Sequence, residues 1–286
     1  MEVGTGVPLF VVTVLPSTAL EMATYSWFMS PNATKASTLL ELHAAPALLK
    51  VVNVWDVISA KVIADLKGTK ALATASHSIA ASYGYEDGEK IPVDLMIEAV
   101  GRIAAATDLP VSADLEAGYG DPGETVRKAI GVGIVGANLE DQMKPLSEAV
   151  AAVEAVVKAG EAEGVPFVLN ARTDAFLNAA GRDPQDVLAD AIERGKAFLE
   201  AGAPVVFVPG RFDEPTVAAL VDALGPQKLT LIAVPGSLPL AKLEELGVAR
   251  VSYGPWSQRV ALTALADFAT DIIAGGALPE GTRVLN

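Results

Sequence analysis

The sequence predicts a (β/α)8 TIM barrel, an α/β fold of eight parallel strands, and three observations carry that expectation. Short apolar runs recur between residues 49 and 254, a helix-forming segment follows each, and polar residues gather where the runs end. A chain of 286 residues is ordinary for one such barrel and long enough to bury a large core.

The runs are LKVVNV (49–54), ALATAS (71–76), LPVSADL (109–115), IVGANLE (134–140), PFVLNAR (166–172), PVVFVP (204–209), LTLIAV (229–234) and ARVSYG (249–254). They are continuously apolar rather than alternating, as strands buried on both faces are. The intervening segments, such as SEAVAAVEAVVKAGEAEG and DVLADAIERGKAFLEAG, repeat apolar residues at helical spacing and close on glycine. GVGIVG (131–136) matches a dinucleotide-binding pattern but precedes a strand, so it reads as a helix stop and strand entry. A doubly wound open sheet fits the same alternation and stands as the alternative. Residues 1–34 are expected to form an N-terminal extension and 35–286 a single barrel domain, helical spacing resuming at Ser37. The apolar stretch near the N-terminus lacks a basic lead-in and contains prolines, so a secretory signal is not expected.

The net charge of −14 argues against nucleic acid and against an anionic membrane surface, both of which select clustered Lys and Arg. With no cysteine, disulfides, zinc–thiolate sites and thiol nucleophiles are excluded, and the composition fits a cytoplasmic protein. His43 and His77 are the only histidines, and neither accompanies a nucleophile-elbow sequence, which argues against a Ser-His-Asp hydrolase.

Barrel active sites lie at the C-terminal ends of strands. There the chain places Asn53, Trp55 and Asp56, then Thr74, Ser76 and His77, then Asp114 and Glu116, then Asn138, Glu140 and Asp141, then Asn170, Arg172 and Asp174. Several carboxylates at one rim cannot all stay ionised without a counter-charge. A hard divalent cation answers this, with Asp114, Glu116 and Glu140 as candidate ligands for Mg²⁺, or for Mn²⁺ as the alternative ion. An ion network with Arg172 and Lys144 and no metal answers it too. Arg172 suits a substrate carboxylate or phosphoryl group.

NVWDVISAKVIADLKGTKALATAS, GYEDGEKIP, LPVSADLEAGYG, ANLEDQ and VLNARTDAFL, in that order, resemble the isocitrate lyase and phosphoenolpyruvate mutase superfamily over roughly residues 38–260. The match is nearest its carboxyvinyl-carboxyphosphonate phosphorylmutase-like branch. The resemblance implies a barrel whose last helix is exchanged between subunits of a homo-oligomer. It also implies Mg²⁺-dependent chemistry on a small carboxylic acid through an enolate. Residue by residue, it implies Asp114 as direct metal ligand with Glu116 and Glu140 in support, and Asp87 and Arg172 at the reacting centre. Asn53, Trp55, Thr74, Ser76 and Arg172 would contact substrate. The expected activity is cleavage of a C–C bond in a 2-oxo or 2-hydroxy dicarboxylic acid. P–C chemistry on phosphoenolpyruvate or phosphonopyruvate is one alternative, and an organic-acid-binding barrel without turnover is another. The chain departs from isocitrate and methylisocitrate lyases in lacking their K-[KR]-C-G-H loop, since Glu140 through Leu146 run straight into a helix.

Overall fold

Parallel strand pairing runs around the sheet in sequence order and returns to its start. The computed structural model describes residues 30–285. Its strands are β1 (Leu49–Lys50), β2 (Asn53–Val54), β3 (Leu72–Thr74), β4 (Val111–Asp114), β5 (Gly136–Glu140), β6 (Val168–Arg172), β7 (Val205–Phe207), β8 (Leu229–Ile232) and β9 (Arg250–Ser252). β1 pairs with β9 and β2 pairs with β3, so one first strand, broken at Val51 and Val52, is bound on both sides. Val51 N–H still donates to Val251 O at 3.0 Å across the break. The eight expected strands are therefore present, the first in two pieces. Closure rules out the open doubly wound sheet.

The helices are α1 (Pro31–Ala44), α2 (Val57–Ala64), α3 (Ser76–Ser82), α4 (Val93–Ala105), α5 (Pro122–Gly131), α6 (Leu146–Ala162), α7 (Pro184–Glu200), α8 (Glu214–Leu224), α9 (Leu240–Glu245) and α10 (Trp256–Ile273). Their starts are chemically marked. Asp121, Asp183 and Asp213 each cap a helix with proline in its first turn, and Asp56 forms a capping box with Ser59. Leu72, Ile79, Leu169, Phe198 and Leu220 are fully buried between strands and helices. Burying each such side chain contributes about 1.5–3 kcal/mol.

α1 begins inside the stretch expected to be an extension. Ser30 Oγ accepts from Ala33 N–H, and Asn32 Nδ2 donates to Ile130 O at 2.9 Å. Leu39 of α1 lies against Gly136, where a Cβ would come within 2.9 Å of its Cδ2. The helix thus crosses the N-terminal end of the barrel. Residues 1–29 of the expected extension lie outside the described residues.

Near this end sit two buried polar side chains. His43 is pushed down to about 3 by burial and by the Arg250 charge, and Arg250 is lowered to about 10 by burial. Arg250 reaches across the barrel to donate to Ser112 Oγ at 3.2 Å.

α10 behaves differently from the other long helices. Gln258, which donates to Ser78 O and Ser82 Oγ, is its buried residue, while Val260, Leu262, Leu265, Phe268 and Ile272 are exposed.

Candidate active site

β4 brings Asp114 to the rim, and the segment after it then leaves the strand abruptly. Glu116 and Tyr119 both have φ near +53°, and Gly118 has φ +91°. A side chain at Gly118 would meet the Pro122 Cα at 2.7 Å, so the turn requires glycine for space as well as conformation. Strand alternation ends with this turn, and Asp114 and Glu116 face different surroundings.

Asp114 faces the mouth. Its backbone N–H donates to Thr74 Oγ1 at 2.9 Å. Its Oδ2 accepts from Ser76 Oγ at 2.8 Å and from Ser76 N–H at 3.2 Å. Oδ1 is buried and has no hydrogen-bond partner among the described residues. An orphaned carboxylate oxygen in this position is costly unless a cation or donor meets it.

Glu116 is engaged elsewhere. Its carboxylate accepts from the Glu89 backbone N–H and from the Tyr119 hydroxyl, the latter at 3.1 Å. Glu89 Oε1 accepts from Tyr119 N–H at 2.6 Å, which ties the segment carrying Asp87 to the β4–α5 turn. Burial pushes Glu116 up to about 7, and the nearby charges of Asp87 and Asp114 add to that.

Glu140 pairs with Arg172, Oε2 to Nη1 at 2.8 Å, and Arg172 Nε donates to Asp174 Oδ1 at 2.6 Å. Burial pushes Glu140 up to about 7 despite Arg172, because Asp174 and Asp114 add negative charge beside it. Burial works against the Arg172 charge, yet Glu140, Asp174 and Asp114 outweigh it and hold the guanidinium above its ordinary value. The arginine–glutamate ion pair and the unpaired aspartate therefore coexist. Asp141 serves structure instead, accepting from Met143 N–H and Asp174 N–H while Arg194 Nη1 meets its Oδ2 at 3.2 Å.

The mouth encloses a cavity of about 570 Å³. Of the expected site residues, Asn53, Ser76, Asp87, Asp114 and Arg172 line it. Ser76 Oγ also lies 3.5 Å from Asp87 Oδ1. Asn53 lines the cavity, but its side chain is held by Thr74 O and by the backbone N–H groups of Tyr253 and Gly254. Thr74 is buried behind Asp114, and Trp55 packs against the core. Neither lines the cavity, and neither do Glu116 and Glu140. Arg211 and Arg259 do line it, and the rim reading missed both. They follow strands that end in Pro-Gly and Gly-Pro turns, where no polar strand residue flags them.

The donor set bears on a metal. Among the described residues no three His, Cys, Asp or Glu side chains form a cage. A carboxylate that lines a roomy cavity and has one oxygen without a partner still fits Mg²⁺, which commonly takes one or two carboxylates and completes its shell with water and substrate. Asp114 would hold it directly. Asp87, Glu116 and Glu140 would add negative charge around it.

A family model described as phosphoenolpyruvate phosphomutase matches residues 39–273. An uncharacterized protein of Mycobacterium tuberculosis is 32% identical over 244 residues, covering 84% of this chain and 90% of its own. The 2,3-dimethylmalate lyase of Eubacterium barkeri is 29% identical over 252 residues, covering 82% and 85%. Among solved structures, a candidate phosphonomutase from Burkholderia cenocepacia J2315 superimposes with TM-score 0.78 at 40% identity, covering 82% of this chain and 99% of that one. An oxaloacetate acetylhydrolase in complex with its product oxalate does so with TM-score 0.79 at 26% identity, covering 89% and 92%. By the extent of the family match and the order of its strand-end motifs, this chain belongs to the isocitrate lyase and phosphoenolpyruvate mutase superfamily and is an enzyme of its lyase or phosphomutase type.

Proposed function

We propose that the protein is a Mg²⁺-dependent lyase that cleaves a C–C bond in a small 2-oxo or 2-hydroxy dicarboxylic acid through an enolate. The observation that carries this reading is the buried, unpartnered Oδ1 of Asp114, a residue that lines the mouth cavity together with Arg172. Mg²⁺ held there supplies Lewis-acid stabilisation of the oxygen that becomes negative. Ser76 fixes the Asp114 carboxylate through two hydrogen bonds, so its orientation is set before substrate arrives. Arg172, clamped by Glu140 and Asp174, offers its remaining N–H groups to a substrate carboxylate.

Asp87 is the base within reach. For a 2-hydroxy acid it takes the hydroxyl proton, C2–O becomes a carbonyl as the C2–C3 bond breaks, and that bond's electron pair passes to the departing fragment as an enolate. A 2-oxo diacid that loses the carboxyl on C3 as CO2 leaves the enolate on its own C2 oxygen. A proton then returns to C3. A dimethylmalate lyase and an oxaloacetate acetylhydrolase among the relatives support the same class of substrate.

The P–C reading draws on the candidate phosphonomutase of the same fold. The brief connection between Glu140 and Leu146 motivates a barrel that binds an acid without turnover. The exposed apolar face of α10 supports a homo-oligomer in which this helix packs on a neighbouring subunit. Among the described residues no helix is long and apolar enough to cross a membrane, and the absence of cysteine favours the cytoplasm.

Pyruvate release, coupled to lactate dehydrogenase, tests the function on oxaloacetate, 2,3-dimethylmalate, methylisocitrate and phosphonopyruvate. Release from a diacid that stops with EDTA and in Asp114→Ala supports the lyase. Phosphate appearing with pyruvate from phosphonopyruvate selects the P–C reading. Release that ignores both EDTA and the Asp114 substitution overturns the metal-assisted account.

A further inference from the structure

Three buried polar side chains cross the barrel interior beside Asp114 and point one amide at the cavity. Asn138 on β5 is the register partner of Asp114 on β4 and of Asn170 on β6, so it stands directly between them. Thr230 Oγ1 donates to Asn170 Oδ1 at 2.6 Å, and Asn170 Nδ2 donates to Asn138 Oδ1 at 2.7 Å. Thr230 and Asn170 are each 1% exposed and Asn138 is 6% exposed. Among the described residues Thr230 Oγ1 has one further acceptor in reach, Val206 O at 3.3 Å.

The direction of this chain fixes what Asn138 shows to a ligand. Its Oδ1 is occupied as an acceptor, and its Nδ2, with no hydrogen bond among the described residues, faces the cavity lined by Asp114 and Arg172. A buried amide held this way is a preorganised donor, and reversing it would set its Nδ2 against the Asn170 Nδ2, two buried donors opposed. A donor beside the proposed cation is placed for an oxygen that gains negative charge.

We infer that Asn138 is a catalytic residue, donating a hydrogen bond from Nδ2 to the enolate oxygen of a bound 2-oxo acid. Asn170 and Thr230 are positioning residues that hold its amide in that sense. The inference rests on the enolate reading above. It also narrows the ligand class to planar acids with oxygens on adjacent carbons, because the donor and Asp114 flank one point on the rim.

Oxalate, a planar dianion shaped like the enolate of pyruvate, is the probe, titrated calorimetrically with Mn²⁺ present. Wild type is expected to bind it. Asn138→Ala should weaken oxalate about tenfold or more, the loss of a hydrogen bond to a charged ligand. Thr230→Val should weaken it several-fold, and Thr230→Ser, which keeps the hydroxyl, should restore binding. Mn²⁺ affinity without oxalate should stay at the wild-type value in all three, which a general loss of structure would not allow. If alanine leaves an unfolded chain, Asn138→Leu, close in shape, takes its place.

Failure of wild type to bind oxalate would overturn the enolate reading and this inference with it. Oxalate binding by wild type that Asn138→Ala or Asn138→Leu leaves unchanged would overturn the inference alone. Unchanged binding in Thr230→Val would overturn the positioning role.

Discussion

Replacing Arg194 with methionine tests whether the loop behind Glu140 is held by charge. Arg194 donates through Nη1 to Asp141 Oδ2 at 3.2 Å and to Lys144 O at 3.0 Å, and through Nε to Asp190 Oδ1 at 2.9 Å. The Asp141 side chain is 1% exposed, so removing the guanidinium leaves a buried carboxylate with no counter-charge. Breaking a buried pair from one side costs about 3–5 kcal/mol. Asp141 keeps two backbone N–H donors, from Met143 and Asp174, which points to the lower end of that range. About 3 kcal/mol corresponds to a fall in Tm of about 5 °C for a chain of this size. Methionine preserves most of the apolar stem, so packing loss is small. Thermal and urea unfolding followed by circular dichroism read the effect. Adding Asp141→Asn to Arg194→Met should recover part of the loss, with a coupling of about 1 kcal/mol or more. A loss below about 1 kcal/mol, or strictly additive substitutions, would refute the reasoning.

Two further expectations concern pH and assembly. Glu116 and Glu140 titrate near 7 in the folded state, above their unfolded value of 4.5, so the folded chain holds more protons between these values and stability falls as pH rises from about 4.5 to about 7. His43 works in the other direction. Its folded value near 3 lies below 6.5, so its contribution is present above pH 6.5 and is lost as pH falls toward 3. Stability against pH in Glu116→Gln should lose part of the neutral-side slope, and His43→Gln part of the acid-side slope; an unchanged curve in both would contradict the assignment. For assembly, Leu262→Glu with Leu265→Glu places charge on the exposed face of α10 and should dissociate a homo-oligomer, read by light scattering after size exclusion. An unchanged mass would show that this face packs on nothing.

The fold was legible because its strands are buried on both faces and read as unbroken apolar runs. The break at Val51 and Val52 was not, since two valines look the same paired or unpaired. The start of α1 carries a local signal, Ser30 followed by Pro31, that the composition of the preceding stretch obscured. At the site, strand-end placement put Asp114, Ser76 and Arg172 at one mouth. It did not divide labour among the acids. Asp114 and Glu116 share a face only while the strand continues, and the left-handed turn at Glu116 gives its carboxylate to the loop carrying Asp87. Asp141 looks like Glu140 in sequence, and the backbone N–H groups of Met143 and Asp174 together with the distant Arg194 make it structural. Arg211 and Arg259 reach the cavity from turns, where alternation says nothing about direction.

The central claim is that Asp114, whose buried Oδ1 has no hydrogen-bond partner among the described residues, is the rim acid that holds the cation. Titration of Mn²⁺ into wild type, Asp114→Asn and Glu116→Gln, followed by electron paramagnetic resonance, tests it most directly. The account expects one site per subunit in wild type, its loss in Asp114→Asn, and binding retained with modest weakening in Glu116→Gln. Equal binding by wild type and Asp114→Asn, or loss confined to Glu116→Gln, would contradict it.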